Sequence, residues 1–239
     1  MEYAVPNYIY TCATEDGVVV LDARRGKYSI VPGDRARSLE GLVLGWPTLP
    51  LTEGAVGNQT IPSSLLDSLI RGGIVMPLEH PRLRVGEPAA VHVAHEALLD
   101  AFAATEKPKI RSRDVVKFFL SVTYATAMLK CRPFEGLLIN LRQRKASRAT
   151  ATAAPSIAYI RECVKIFSWL RPFAYAESDA CLFDSVALID FLFRQGVLAD
   201  LFIGVRIRPF VAHSWVQVQG LAANGLPEYL AAYTPILAA

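Results

Sequence analysis

Glu177-Ser178-Asp179-Ala180-Cys181-Leu182-Phe183-Asp184-Ser185 reads as the opening of a helix, and Val211-Ala212-His213-Ser214-Trp215-Val216-Gln217-Val218 reads as a strand. Apolar periodicity begins just after Cys181 and continues to Gln195, where Gly196 is a stop signal; Ser178 and Asp179 supply capping oxygens at the other end. The expected helix, Asp179 to Gln195, therefore carries Cys181 in its first turn. A thiol there feels the positive end of the helix dipole, which favours the thiolate. Alternation along the strand sets His213 and Trp215 on one face, so the core that holds the tryptophan also fixes the imidazole. A thiolate nucleophile needs such a base. The commoner fate of a lone cysteine in an apolar helix is burial as a small hydrophobe. Cys163, inside Arg161-Glu162-Cys163-Val164-Lys165-Ile166, fits that description, whereas Cys181 has the cap and the dipole.

Outward from these stretches the pattern is helices first, then strands. Asp114 is a cap candidate for a helix from Val115 to about Lys130, and Phe134 to about Arg144 is a second. Lys145 to Thr152 is small and polar and reads as a loop. Ser156 to Leu170 is an amphipathic helix ended by Pro172. After the cysteine helix come two strands, Ala199 to Ile207 and Ala212 to Gln219. This order predicts an α+β domain over 96–239. Residues 79–90 hold Pro81, Pro88 and several charges and read as linker, bounded as 83–95, with His80, His92 and His95 in or beside it. Residues 1–82 read as a separate domain. Tyr8–Ala13, Val18–Leu21 and Lys27–Val31 are three short strands joined at Asp16-Gly17 and Arg25-Gly26. A helix from Asp34 to about Leu44, another from Leu65 to Arg71 and a small wing strand at Ile74–Pro77 complete a winged-helix-like pattern.

Bulk properties narrow the function classes. The 239 residues carry a net charge of only +3, too little to argue for nucleic acid. The expected recognition helix, Leu65 to Arg71, has one arginine and one aspartate, poor for phosphate contacts. The four cysteines, Cys12, Cys131, Cys163 and Cys181, form no CxxC pair, which argues against a zinc site and a disulfide scaffold and for a reducing cytoplasm. No phosphate-cradling glycine loop is present, so no cofactor is expected. The apolar run Val115–Leu129 is broken by Lys117 and is too short to span a bilayer, and the N-terminus is not a signal peptide. Hydrophobic residues reach 52% and mean hydropathy +0.29, apolar enough to suggest a surface covered by a partner.

A third residue should orient the imidazole through its second nitrogen. No aspartate follows His213; Gln219, Asn224 and Glu228 are the available side chains. Asn224 comes first, because a carboxamide accepts the imidazole N–H, and Glu228 second. The basic group Arg142, Arg144, Lys145 and Arg148 reads as a solvated helix end with a favourable dipole, ahead of a contact to an acidic partner.

Cys181-Leu182-Phe183-Asp184-Ser185, Gly204-Val205-Arg206 with Pro209-Phe210-Val211-Ala212-His213-Ser214-Trp215, and the tail Tyr233-Thr234-Pro235-Ile236-Leu237 resemble the leader peptidase of lasso-peptide biosynthesis. The chain looks like the fused form, in which a leader-recognition element precedes a transglutaminase-like/papain-like cysteine peptidase. The resemblance implies Cys181 as nucleophile and His213 as base. The family's third residue is usually the aspartate of an Asn-Asp pair; here the pair is Asn224-Gly225. The resemblance further implies that the precursor's leader adds as a strand to the sheet edge Lys27–Val31 beside the helix Leu65–Arg71, with Tyr28, Ile30, Leu66 and Leu69 as pocket residues, each of which is also a natural core position. It implies an ATP-dependent macrolactam synthetase as partner. Against this stands a catalytically weak precursor-binding protein with a degenerate Cys–His site. Acyl transfer from the same pair would differ only in whether an amine or water resolves the acyl-enzyme.

Overall fold

The computed structural model describes residues 2–50, 63–80, 96–98, 107–149, 155–175 and 181–239. The expected linker 83–95, with His92 and His95, and the cap candidates Ser178 and Asp179 lie outside the described residues. The chain is a mixed α/β fold of two compact units, Met1–Ala90 with Ile207–Pro209, and Val91–Arg206 with Phe210–Ala239.

Unit 1 is built around an antiparallel meander of β2 (Ile9–Thr14), β3 (Gly17–Asp22) and β4 (Lys27–Pro32), with β4 at one edge. The first turn requires glycine. Gly17 has φ +143°, and a side chain there would stand 2.2 Å from the Val31 carbonyl oxygen. Every residue of β3 is buried, as expected of a central strand covered on both faces. Val18, Val20 and Val31 share a core with Ala36, Leu39, Trp46, Val75 and Leu69, the last from α2 (Ser63–Gly72). The helix expected from Asp34 to Leu44 is only α1 (Gly33–Arg37). The Ser38 hydroxyl donates to the Arg35 carbonyl at 2.7 Å, a local bond that competes with helix continuation. Val43–Leu44 is instead a strand, β5, running parallel to β1 (Tyr3–Ala4). The wing strand is β6 (Met76–Pro77), and it pairs antiparallel with β1 rather than with the meander. Unit 1 thus holds two small sheets, the expected meander and a second one ordered β5-β1-β6.

Unit 2 places one helix at its centre. Residues Asp184 to Phe193 of α6 (Cys181–Arg194) are all buried, the signature of a helix wrapped on every side. α6 packs against α3 (Ser112–Cys131), α5 (Ile157–Leu170) and the sheet, and edge-on contacts from Phe118 to Phe167 (5.4 Å) and tilted contacts from Phe167 to Phe191 (5.7 Å) bind the three helices. α3 begins before Asp114, which sits at the third helical position and accepts the Arg111 N–H at 3.0 Å. The helix expected from Ser156 to Leu170 is α5, and Ser156 caps it, accepting from the Tyr159 N–H.

α4 (Phe134–Ala149) runs through most of the stretch expected to be a loop. Its basic residues are not simply solvated. Arg144 pairs with Asp190 of α6, Lys145 pairs with Asp200, and Arg148 lies over the Phe193 ring at 5.5 Å. Asp190 is fully buried and also accepts from Arg194 at 2.6 Å. These anchors give the helix end a tertiary reason to continue that local polarity does not reveal.

The sheet is antiparallel in the order β10-β7-β8-β9: β7 (Asp200–Arg206), β8 (Val211–Val218), β9 (Leu221–Ala222) and β10 (Thr234–Ala238), with α7 (Pro227–Leu230) before β10. The two expected strands are its centre, and β9 and β10 extend it. Glu96–Leu98 bonds along β9: the Leu98 N–H donates to the Ala222 carbonyl at 2.7 Å and the Ala222 N–H to Glu96 at 3.0 Å. No described helix is long and apolar enough to cross a membrane.

Candidate active site

Cys181 opens α6 and is half-buried; His213 lies on β8 opposite Gly204 of β7. α6 packs directly on β8, so the helix start and the strand are brought together by the core of unit 2. The Cys181 thiol is pulled down from 9.0 to about 7, chiefly by its hydrogen bond to the His213 imidazole. Burial opposes the shift, while the Ser214 hydroxyl and backbone, and the positive charge on His213, favour it. Two other cysteines go the opposite way. Burial pushes Cys12 up to about 12 and Cys163 up to about 11, which makes them inert thiols.

The imidazole is surrounded by rings. Trp215, fully buried, lies nearly parallel to it at 6.3 Å; Tyr229 stands perpendicular at 5.3 Å; Tyr233 lies tilted at 5.3 Å. Trp215 in turn stacks on Phe202 at 5.6 Å. Gly204 makes this packing possible: a Cβ there would meet the Trp215 ring and the Tyr233 Cβ at 2.9 Å. The glycine of Gly204-Val205-Arg206 is thus needed for space, not for a positive φ.

Asn224 lies near the pair but faces other partners. Its Oδ1 accepts the Val216 N–H at 2.7 Å, and its Nδ2 donates to Asp184 at 3.0 Å and to Ser185 at 3.4 Å. The acceptor role fixes which end of the amide is oxygen. Asp184 is itself held by the Tyr175 hydroxyl at 2.8 Å and by Arg171 at 3.6 Å, and the Ser185 and Ser214 hydroxyls meet at 3.4 Å. Asn224 therefore clasps the nucleophile helix to the histidine strand, and among the described residues it makes no hydrogen bond to His213. Glu228 is exposed on α7, and Gln219 donates to the Pro155 carbonyl at 3.1 Å. Gly225, where the resemblance implies an aspartate, has φ +104°, and a Cβ there would meet Leu230 at 3.2 Å. Asp184, Ser185, Ser214 and Tyr233 lie in the stretches that carry the resemblance but take no site role from it, and Tyr229 lies outside them. The one local signal was the i, i+4 spacing of the two tyrosines after Pro227.

In unit 1 the four expected pocket residues separate. Ile30 is 42% exposed on the edge strand β4, and Tyr28 beside it is half-buried. Leu66 packs partly buried against the unit's core, and Leu69 belongs to that core. Among the described residues no group of three or more His, Cys, Asp or Glu side chains is arranged to hold a metal ion.

Within this mixed α/β unit, residues 122–238 match the Transglutaminase-like superfamily and form a transglutaminase-like domain. That match takes in α6, β7, β8 and the site just described. A 52-residue stretch is 46% identical to the Microcin J25-processing protein McjB of Escherichia coli; it covers 22% of this chain and 24% of that protein. No solved structure matches the chain.

Proposed function

We propose that the protein is a cysteine peptidase that removes the leader from a ribosomally made lasso-peptide precursor. The observation that carries this reading is the Cys181–His213 pair, with the thiol held at about 7 where a peptidase nucleophile is useful. The likeness to a microcin-processing protein supports the substrate class. Cys181 Sγ, as thiolate, attacks the carbonyl carbon at the leader–core junction. The oxyanion draws on backbone N–H groups at the start of α6. The His213 imidazolium gives its proton to the departing amine as the C–N bond breaks, leaving a thioester to the leader. His213 then takes a proton from water, which attacks the thioester and frees the thiol. The freed core amine becomes the substrate of an ATP-dependent macrolactam synthetase partner.

Unit 1 is the leader-recognition element of this reading. The leader adds along the outer edge of β4, main-chain hydrogen bonds supplying affinity. Ile30 is the exposed side chain on that edge, with Tyr28 half-buried beside it; Leu66 and Leu69 act mainly from the core beneath. Asn224 serves as the clasp between α6 and β8 rather than as the imidazole's orienter.

Incubating a candidate precursor with the wild-type chain and with Cys181→Ala, and reading product masses, tests the assignment. A single cut by the wild type alone is expected, with leader binding retained in the variant; cleavage by Cys181→Ala would overturn it. The precursor-binding alternative draws on Gly225. Restoring the aspartate is expected to fail: Gly225→Asp puts a side chain at φ +104° against Leu230. It should lower stability by about 1–3 kcal/mol without raising the cleavage rate. A large gain in rate would instead mark the natural site as crippled.

A further inference from the structure

We propose that Tyr229 and Tyr233 are positioning residues that form an aromatic clamp on the His213 imidazole, performing the orienting task that a carboxylate performs in a Cys–His–Asp site. The proposal rests on the reading of Cys181 and His213 as a working pair and adds to it what holds the histidine. The two rings contact the imidazole from different directions, one perpendicular and one tilted, each with centroids 5.3 Å away. Together with Trp215 behind it, they restrict the ring's plane about both side-chain torsions. The clamp is internally tied: the Tyr229 and Tyr233 hydroxyls hydrogen-bond at 2.7 Å, and their rings meet at 5.3 Å. Its backbone is fixed as well, because the Tyr233 N–H donates to the Leu230 carbonyl at 3.0 Å and β10 follows directly.

Chemistry favours the same assignment. Beside the Cys181 thiolate, and again when it takes the proton from water, His213 is a cation, and an imidazolium among aromatic rings gains from their quadrupoles. Tyr233 stays neutral. Burial, the hydroxyl bond shared with Tyr229 and the charge on Cys181 push Tyr233 up to about 12, against the opposing Arg206 guanidinium, whose carbon lies 5.7 Å from the ring centroid. The titratable and charged groups gathered here are therefore Cys181 of α6, Arg206 of β7, His213 of β8, Tyr229 of α7 and Tyr233 after it; the Ser214 hydroxyl completes the polar surround.

Tyr229 is the position to test, because it is half exposed and its replacement leaves the core intact, whereas Tyr233 is 3% exposed. The readout is the pH profile of Cys181 alkylation by iodoacetamide in the full chain, with peptide mapping; it needs no precursor and reports the Cys–His geometry itself. Tyr229→Ala should move the midpoint up from about 7 by about one pH unit. Tyr229→Phe, which keeps the ring, should restore most of the wild-type profile. A wild-type midpoint with Tyr229→Ala unchanged would overturn the clamp while leaving the pair and the peptidase reading intact. Equal shifts for both variants would also overturn it, assigning the effect to the hydroxyl. A wild-type midpoint near 9 would overturn the pair and the clamp with it.

Discussion

His213→Ala will move the midpoint of Cys181 alkylation from about 7 toward the ordinary thiol value of 9.0, because the imidazole is the largest cause of the lowered value. The direction follows from the charge. A base that donates a hydrogen bond to the thiolate stabilises it, so the thiolate persists down to lower pH while that base is present. At pH 7 the thiolate fraction falls from about half to about 1% when the pKa rises by two units. A more basic thiolate is also a better nucleophile, which returns nearly a tenfold gain. The observable slowing of alkylation at pH 7 is therefore only about 5- to 10-fold. Peptide cleavage loses far more, about 10²- to 10⁴-fold beyond the thiolate effect, because His213 also has to protonate the leaving amine. This split between a modest alkylation defect and a severe cleavage defect separates a catalytic imidazole from a merely nearby one. Equal, small effects on both would contradict the assignment. Stopped-time alkylation with peptide mapping, alongside precursor cleavage across pH 5 to 9, measures it.

Asp190→Ala will destabilise the chain more than any exposed charge change. Asp190 is fully buried at the centre of α6, and it receives Arg144 from α4 and Arg194 one turn along its own helix. Those two side chains are 19% and 31% exposed, so neither recovers full hydration when its partner is removed. Breaking a buried pair in this way costs about 3–5 kcal/mol, which for a chain of this size lowers Tm by roughly 10 °C. The contrast is Asp200→Ala. That residue pairs with Lys145, but both side chains are about one third exposed, at 36% and 35%. Screening limits the pair to under about 1 kcal/mol. Thermal unfolding of both variants checks the ranking. Similar Tm values would show that the Asp190 cluster is not the anchor between α4 and α6.

The part of the site that was legible in the sequence is the part written in local signals. Cys181 announces itself by its place in the first turn of a helix and the onset of periodicity, and His213 by strand alternation with Trp215. The three-stranded meander was legible because Asp16-Gly17 is a turn with a steric mechanism. What stayed hidden was set by contacts distant in sequence. Asn224 reads locally as a free carboxamide, yet both of its ends are taken by Val216 and Asp184. Arg144 and Lys145 read as a solvated helix end because Asp190 and Asp200 lie 46 and 55 residues away. Strands β1, β5, β6 and β9 are two residues each, too short to show any period. Tyr229 and Tyr233 sit in a short tail segment where their common target, His213, is visible only once β10 has folded back beside β7.

The central claim is that Cys181 is the nucleophile of a peptidase, and the most direct measurement follows two events in one tube. The wild-type chain is treated with a limiting amount of iodoacetamide at pH 7, samples are withdrawn, and each is assayed for precursor cleavage while mass mapping scores all four cysteines. Cys12 and Cys163, with thiols pushed up to about 12 and 11, should remain unmodified in the folded chain. The account predicts that residual cleavage falls in proportion to the unmodified fraction of Cys181, reaching zero when that thiol is fully capped. Full cleavage with Cys181 completely alkylated would contradict it.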